Sequence, residues 1–338
     1  MSDALAPWLT AQVQTLLSRR GHAWLLSGPS GLGQYSLALA LARAWLCTQP
    51  TAQGACGECH SCHAVDVRTH PDLRVLMPET LSLELGWPLD EATQDKLDKK
   101  ERKPSKEIRV EAAREMVNFT QHTRSGGSTK VVLVYPAERM NTITANTILK
   151  TLEEPAGETR FVLATQAAHQ LLPTIRSRCQ SHTLAWPEPE QALAWLQAQG
   201  LSATDAQVLL RGAGGRPEDA LVLSEQGFSA QSWAALPKAV ARGDAAALAD
   251  APPAALIATL QKLCHDWMAV QSGAPSRFFE PTHLAQASVT PTVSALTQWS
   301  RDLAQSARSA EHPFNAGLML EAQMARARMA VQSRATST

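Results

Sequence analysis

Four of the six cysteines in this 338-residue chain stand close together, and their spacing is a strong chemical signal. Cys47, Cys56, Cys59 and Cys62 follow the pattern C-x8-C-x2-C-x2-C. A C-x2-C step lets two thiolates converge on one tetrahedral ion, and four sulfurs close a structural Zn²⁺ site with no position open for catalysis. Gly54 and Gly57 supply the turns that such a knuckle needs. His60 and His63 are rival ligands, but each adjoins a cysteine in sequence and would point away from the shared centre. Free thiols and an iron–sulfur cluster rank behind zinc for this spacing. Cys179 and Cys264 lie elsewhere; Cys264, beside an apolar helical stripe, reads as a core residue.

A second feature is Gly28-Pro-Ser-Gly-Leu-Gly33-Gln34-Tyr35, which has the spacing of the phosphate loop G-x-x-x-x-G-K-[ST]. In a working loop, backbone N–H groups and a helix N-terminus cradle phosphates, the lysine reaches the β- and γ-phosphates, and the hydroxyl binds Mg²⁺. Here Gln34 replaces the lysine and Tyr35 the hydroxyl residue. A neutral amide cannot neutralise a γ-phosphate, and a bulky phenol is poorly placed to hold magnesium. A working site also needs acidic residues after the next long buried strand. After Val131–Val134 this chain offers Tyr135 and Pro136, and Glu138 lies far enough on to face elsewhere. Gly28, Gly31 and Gly33 therefore keep a loop shape whose ATP chemistry is gone.

The elements that must position these groups alternate between strand and helix. Residues 8–19 read as an amphipathic helix, Trp24–Ser27 as a strand, and the glycine-rich turn opens a helix through about Leu46. A short strand follows at Leu73–Met77, then a break over 78–107 with Pro78, Pro88, Pro104 and the run KLDKKERKPSKE, which reads as a flexible, solvated loop. Order resumes with a helix near Val110–Gln121, strands at 131–135 and 161–165 around a helix at 142–153, and a short helix near 171–176. Such alternation predicts a parallel sheet covered on both faces. From Trp186 on the signal is helical, with three short helices over 188–226 and longer ones after 228. There Leu256, Leu260, Leu263 and Trp267 share one stripe, and Leu320, Met324, Ala327 and Val331 another.

Composition bounds the function. The 31 basic and 31 acidic side chains cancel, whereas a protein gripping nucleic acid through phosphates shows a basic excess. The segment MSDALAPWLT has acidic Asp3 and no apolar core, so a signal peptide is not expected, nor is a membrane span. A cytoplasmic location is the expectation.

Two further motifs carry a family resemblance. Ile148-Leu-Lys-Thr-Leu-Glu-Glu-Pro155 looks like the clamp-loader signature LLKTLEEP, and Ser177-Arg178-Cys179 matches that family's SRC motif. With the altered phosphate loop, the cysteine knuckle behind its helix, His70-Pro-Asp-Leu73 and Ala137-Glu-Arg-Met140, the chain resembles the AAA+ clamp-loader family of bacterial DNA polymerase III, its delta-prime branch in particular. The likeness covers about residues 20–225 with specific motifs and the remainder by helical character.

That resemblance implies an AAA+ ATPase-like α/β domain over 1–185, a three-helix lid over 186–227 and an all-α collar over 228–338. It implies a member of a five-subunit ring with gamma/tau and delta subunits, which uses ATP to open a sliding clamp and close it on primed DNA. This member would bind no ATP productively and, alone, would catalyse nothing within the polymerase holoenzyme. By position in the SRC motif, Arg178 would act as an arginine finger in a neighbour's ATP site, with Ser177 and Cys179 structural; the bland alternative for Arg178 is pairing with a local carboxylate. Active members carry a lid arginine in G-x-x-R-D-A; here Glu218 stands at that place, with Arg216 two residues earlier. The alternatives are an active gamma/tau-like ATPase, which the losses above oppose, and a zinc-dependent nucleic-acid-binding protein. The second is opposed by the neutral charge and by a knuckle with no Lys or Arg between Cys47 and Cys62.

Overall fold

A computed structural model of the chain describes residues 5–122, 129–288, 290–310, 312 and 315–333; Asp3 lies outside them. The chain divides into two compact units, Met1–Glu188 and Pro189–Thr338.

In the first unit, β1 (Ala23–Ser27), β2 (Leu73–Leu76), β3 (Lys130–Val134), β4 (Thr159–Thr165) and β5 (Gln180–Thr183) form one parallel sheet of order β2-β3-β4-β1-β5. Every residue of β3 is buried, as are Phe161–Thr165 of β4, because helices cover both faces. That is why these strands read as continuous apolar runs. Edge strand β5 is largely exposed, and its sequence QSHT gave no strand signal. From β1 the chain crosses to the far edge at β2, returns through β3 and β4, and passes over β1 to β5. In open α/β sheets ligands bind beyond the carboxyl ends of the strands near such a reversal of order.

The helices of this unit are α1 (Pro7–Leu17), α2 (Gln34–Leu46), α3 (His60–Asp66), α4 (Glu79–Glu84), α5 (Glu91–Asp98), α6 (Val110–Gln121), α7 (Thr142–Glu153) and α8 (Pro173–Arg176). Helix α2 buries Leu37, Leu41 and Leu46 against the sheet side of the unit. Segment 78–107, expected as a flexible loop, contains α4 and α5 and is tied down at two points. Buried Glu79 accepts hydrogen bonds from Arg102 (Nη2, 2.8 Å) and the Ser105 N–H (2.8 Å), and pairs with Arg109 (3.0 Å). Trp87 is buried among Leu46, Leu73 and Met77. One carboxylate and one indole do here what an apolar period does elsewhere, so the sequence showed no period.

The second unit is all helix: α9 (Pro189–Ala198), α10 (Ala203–Gly212), α11 (Pro217–Glu225), α12 (Ala230–Arg242), α13 (Pro253–Gln271), α14 (Pro281–Ala285), α15 (Val293–Arg308) and α16 (Ala316–Gln332). Residues on both sides of the expected boundary at 227–228 feed one apolar core, from Ala192 and Leu209 to Leu260 and Val331. Trp233 stacks on Phe279 at 4.9 Å and meets the edge of Phe228 at 5.4 Å. Cys264 lies in this core, buried as its stripe predicted. Among the described residues, no helix is long and apolar enough to cross a membrane.

Candidate functional site

The glycine-rich loop leaves the carboxyl end of β1 and turns into α2 through Gly31 (φ 74°) and Gly33 (φ 95°). Both sit in the left-handed region that glycine enters without steric cost. From α1, the Trp8 indole N–H donates to the Leu32 carbonyl at 3.0 Å and fastens the turn. The loop shape of a phosphate cradle thus survives.

Its interior does not. Gln34 is 1% exposed, and its amide Nε2 donates to the carbonyls of Gly28, at 2.8 Å, and Pro29, at 2.5 Å. A lysine here would reach outward to phosphate; the glutamine instead folds back and bonds the loop to itself. Tyr35 packs beside Tyr135, ring centroids 5.3 Å apart. The Tyr35 hydroxyl accepts from the Trp87 indole at 2.6 Å, and burial raises its pKa against the opposing pull of that bond and of Arg68. Two aromatic rings therefore stand where a magnesium-binding hydroxyl and carboxylate would be needed. Glu138 is committed to the end of β4, accepting from Thr165 Oγ1 at 2.6 Å and from the Gln166 N–H at 3.1 Å. In the second unit, Arg216 bonds the Ala213 carbonyl (2.8 Å) and pairs with Asp219 at 3.0 Å.

Arg178 lies between α8 and β5 on the surface of the first unit. Its Nε and Nη2 both donate to Oε2 of Glu153, at 2.9 and 2.7 Å, and Nη1 donates to the Thr174 carbonyl at 3.1 Å. Sequence reasoning assigned Arg178 but gave Glu153 no role; its place in the LKTLEEP motif was the available signal. Ser177 Oγ bonds the Thr174 carbonyl at 3.2 Å. Cys179 packs against the sheet core, and burial pushes its thiol up to about 12.

The four clustered cysteines converge. Their sulfurs all lie within 4.8 Å of one another, with Cys47–Cys56 at 3.5 Å, Cys47–Cys59 at 3.8 Å and Cys56–Cys62 at 4.0 Å. Ligands at ~2.3 Å from a tetrahedral ion are roughly 3.8 Å apart, so the set fits one metal ion. Backbone N–H groups of Cys56, Cys59 and Cys62 point at the sulfurs of Cys47, Cys56 and Cys59, at 3.3, 3.4 and 3.4 Å, and stabilise thiolate charge. The Thr48 hydroxyl, followed by the Cys62 N–H, lowers Cys59 to about 5, whereas burial pushes Cys62 up to about 12. Helix α3, which sequence reading missed, starts inside this segment with Cys59 as its cap. His60 and His63 are not in the cluster.

The family model described as DNA polymerase III, delta subunit, matches residues 8–188. Over 236 residues the chain is 39% identical to DNA polymerase III subunit delta' of Pseudomonas aeruginosa, covering 68% of this chain and 64% of that protein. It is 36% identical over 236 residues to the subunit delta' of Escherichia coli, covering 68% and 62%. The match thus spans less than two thirds of the length of these relatives. A DNA polymerase III subunit tau/gamma from Haemophilus influenzae is 31% identical over 218 residues, 63% of this chain and 28% of that one. A solved DNA polymerase III gamma subunit-related protein from Thermotoga maritima aligns over 96% of this chain and 99% of its own, with TM-score 0.50 and 16% identity, a likeness of fold.

Proposed function

The chain belongs to the DNA polymerase III delta' family, and from that premise we propose that it is a non-hydrolysing clamp-loader subunit that lends Arg178 to a neighbouring ATP site. The observation that carries the reading is the Gln34 amide turned onto the Gly28 and Pro29 carbonyls, inside a loop that otherwise keeps its nucleotide-binding shape. A fold retained while its own chemistry is filled in suits a scaffold working on a partner's nucleotide. The ring partners are gamma/tau and delta subunits, and the chain meets the sliding clamp and primed DNA through the complex, in the cytoplasm. Cys47, Cys56, Cys59 and Cys62 hold a structural Zn²⁺ that fixes the start of α3. The domain plan is an ATPase-like domain to about residue 185, a lid to 227 and a collar beyond.

The chemistry of the finger is charge stabilisation. As the γ-phosphoryl group transfers, negative charge spreads over its oxygens, and a guanidinium entering from the next subunit offers a planar pair of donors. The test is co-purification with the clamp-loader subunits of the same organism, followed by DNA- and clamp-stimulated ATPase and clamp-loading assays. Arg178→Ala is expected to leave assembly, fold and bound zinc intact while lowering both activities. In GTPases such fingers contribute ~10³–10⁵ in rate; a ring with several ATP sites loses less, because one site borrows this arginine. Arg178→Lys rescues poorly, since an ammonium has no planar fork. Wild-type rates in Arg178→Ala rings overturn the assignment.

A further inference from the structure

We infer that Glu153 is a positioning residue for Arg178, holding the guanidinium so that two of its N–H donors stay directed to an incoming phosphate. The inference rests on the finger reading above. An arginine side chain has five N–H donors. Among the described residues three have partners: Nε and one N–H of Nη2 go to Oε2 of Glu153, and one N–H of Nη1 goes to the carbonyl of Thr174. Because Nε and Nη2 share one acceptor oxygen, the bonded Nη2 hydrogen is the one on the Nε side of the fork. Each terminal nitrogen keeps one N–H, and the Nη2 one points away from Glu153. The carboxylate thus grips the guanidinium side-on and leaves one N–H on each terminal nitrogen.

Both anchors sit on rigid elements. Glu153 is the last residue of α7 and Thr174 lies in α8, one turn before Arg178. A long, rotamer-rich side chain on a surface would otherwise sample many orientations, and a finger that must be ordered at each turnover pays that entropy in the transition state. The pair is partly exposed, with side-chain exposures of 29% for Arg178 and 56% for Glu153. Exposed pairs are weak, so this contact orients the guanidinium without locking it.

The experiment is a double-mutant cycle in the assembled loader, reading kcat and KM for the clamp- and DNA-stimulated ATPase. Glu153→Ala is expected to lower kcat roughly two- to fivefold, the factor that an exposed oriented pair supports, with KM for ATP unchanged. Glu153→Gln, which keeps an acceptor oxygen, restores part of the loss. In an Arg178→Ala background, Glu153→Ala changes nothing further, because Glu153 acts only through the arginine. In the isolated chain, phenylglyoxal modifies Arg178 faster in Glu153→Gln than in wild type. Equal losses from Glu153→Ala in both backgrounds, or wild-type kcat in Glu153→Ala and Glu153→Gln alike, overturn the inference while leaving the finger standing. A wild-type rate in Arg178→Ala alone removes the finger and this role together.

Discussion

Gln34→Lys would return the lysine of the phosphate-loop motif while Tyr35 stays, and it is expected not to give turnover. In the wild-type chain the Gln34 side chain is buried and bonded to the carbonyls of Gly28 and Pro29. A phosphate that displaced that amide would break two neutral hydrogen bonds, worth about 1–3 kcal/mol together. The absent lysine forgoes two charge-assisted bonds, at about 1.5–3 kcal/mol each. The sum, about 4–9 kcal/mol, weakens a micromolar site by at least ~10³, to a millimolar Kd or worse. Gln34→Lys recovers the second contribution only in part, because the ammonium can donate to the same two carbonyls. It leaves Tyr35 and Tyr135 packed at 5.3 Å where magnesium ligands belong. Titration calorimetry with Mg–ATP and a phosphate-release assay decide the matter. A micromolar Kd for the wild-type chain, or turnover in Gln34→Lys, would refute the reasoning.

Elemental analysis is expected to find one zinc per chain, with Cys59→Ser losing the metal and the order of α3; less than half an equivalent in chelator-free preparations contradicts it. Glu79→Gln destabilises the first unit by about 1–3 kcal/mol in denaturant melts, because the Arg102 and Arg109 guanidinium groups lose a buried acceptor. Burial raises the Glu79 pKa, but Arg102, the Ser105 N–H and Arg109 outweigh it and hold the carboxyl below its usual value. Its stabilisation is therefore present at neutral pH and lost as pH falls below about 4; Trp87 fluorescence unchanged from neutral pH to about 3 would show otherwise. Asp266, 0% exposed, accepts the N–H groups of Arg277, Phe278 and Phe279 at 2.9, 2.7 and 2.7 Å. Asp266→Ala orphans all three and costs about 3–5 kcal/mol, read from Trp233 emission because Phe279 stacks on that ring; a loss under about 1 kcal/mol would count against it.

What the sequence determined by itself is what depends on local spacing. The apolar runs 131–135 and 161–165 are β3 and β4, since a strand buried on both faces has no polar positions to interrupt it. The glycine spacing before Gln34 specified a loop that only left-handed residues can turn. C-x2-C steps brought four sulfurs to one point, because a knuckle is closed by short-range geometry. Tertiary structure decided the rest. Edge strand β5 is polar and is defined by its pairing with β1, not by its residues. The order in segment 78–107 comes from Glu79 and Trp87 meeting partners that are distant in sequence or of opposite charge, contacts with no period to read. That Gln34 turns inward was set by two carbonyls of its own loop. The role given to Glu153 arises because the end of α7 passes beside α8, bringing into contact a carboxylate and a guanidinium 25 residues apart. Such pairings are fixed by the packing of elements against one another, and no spacing along the chain encodes them.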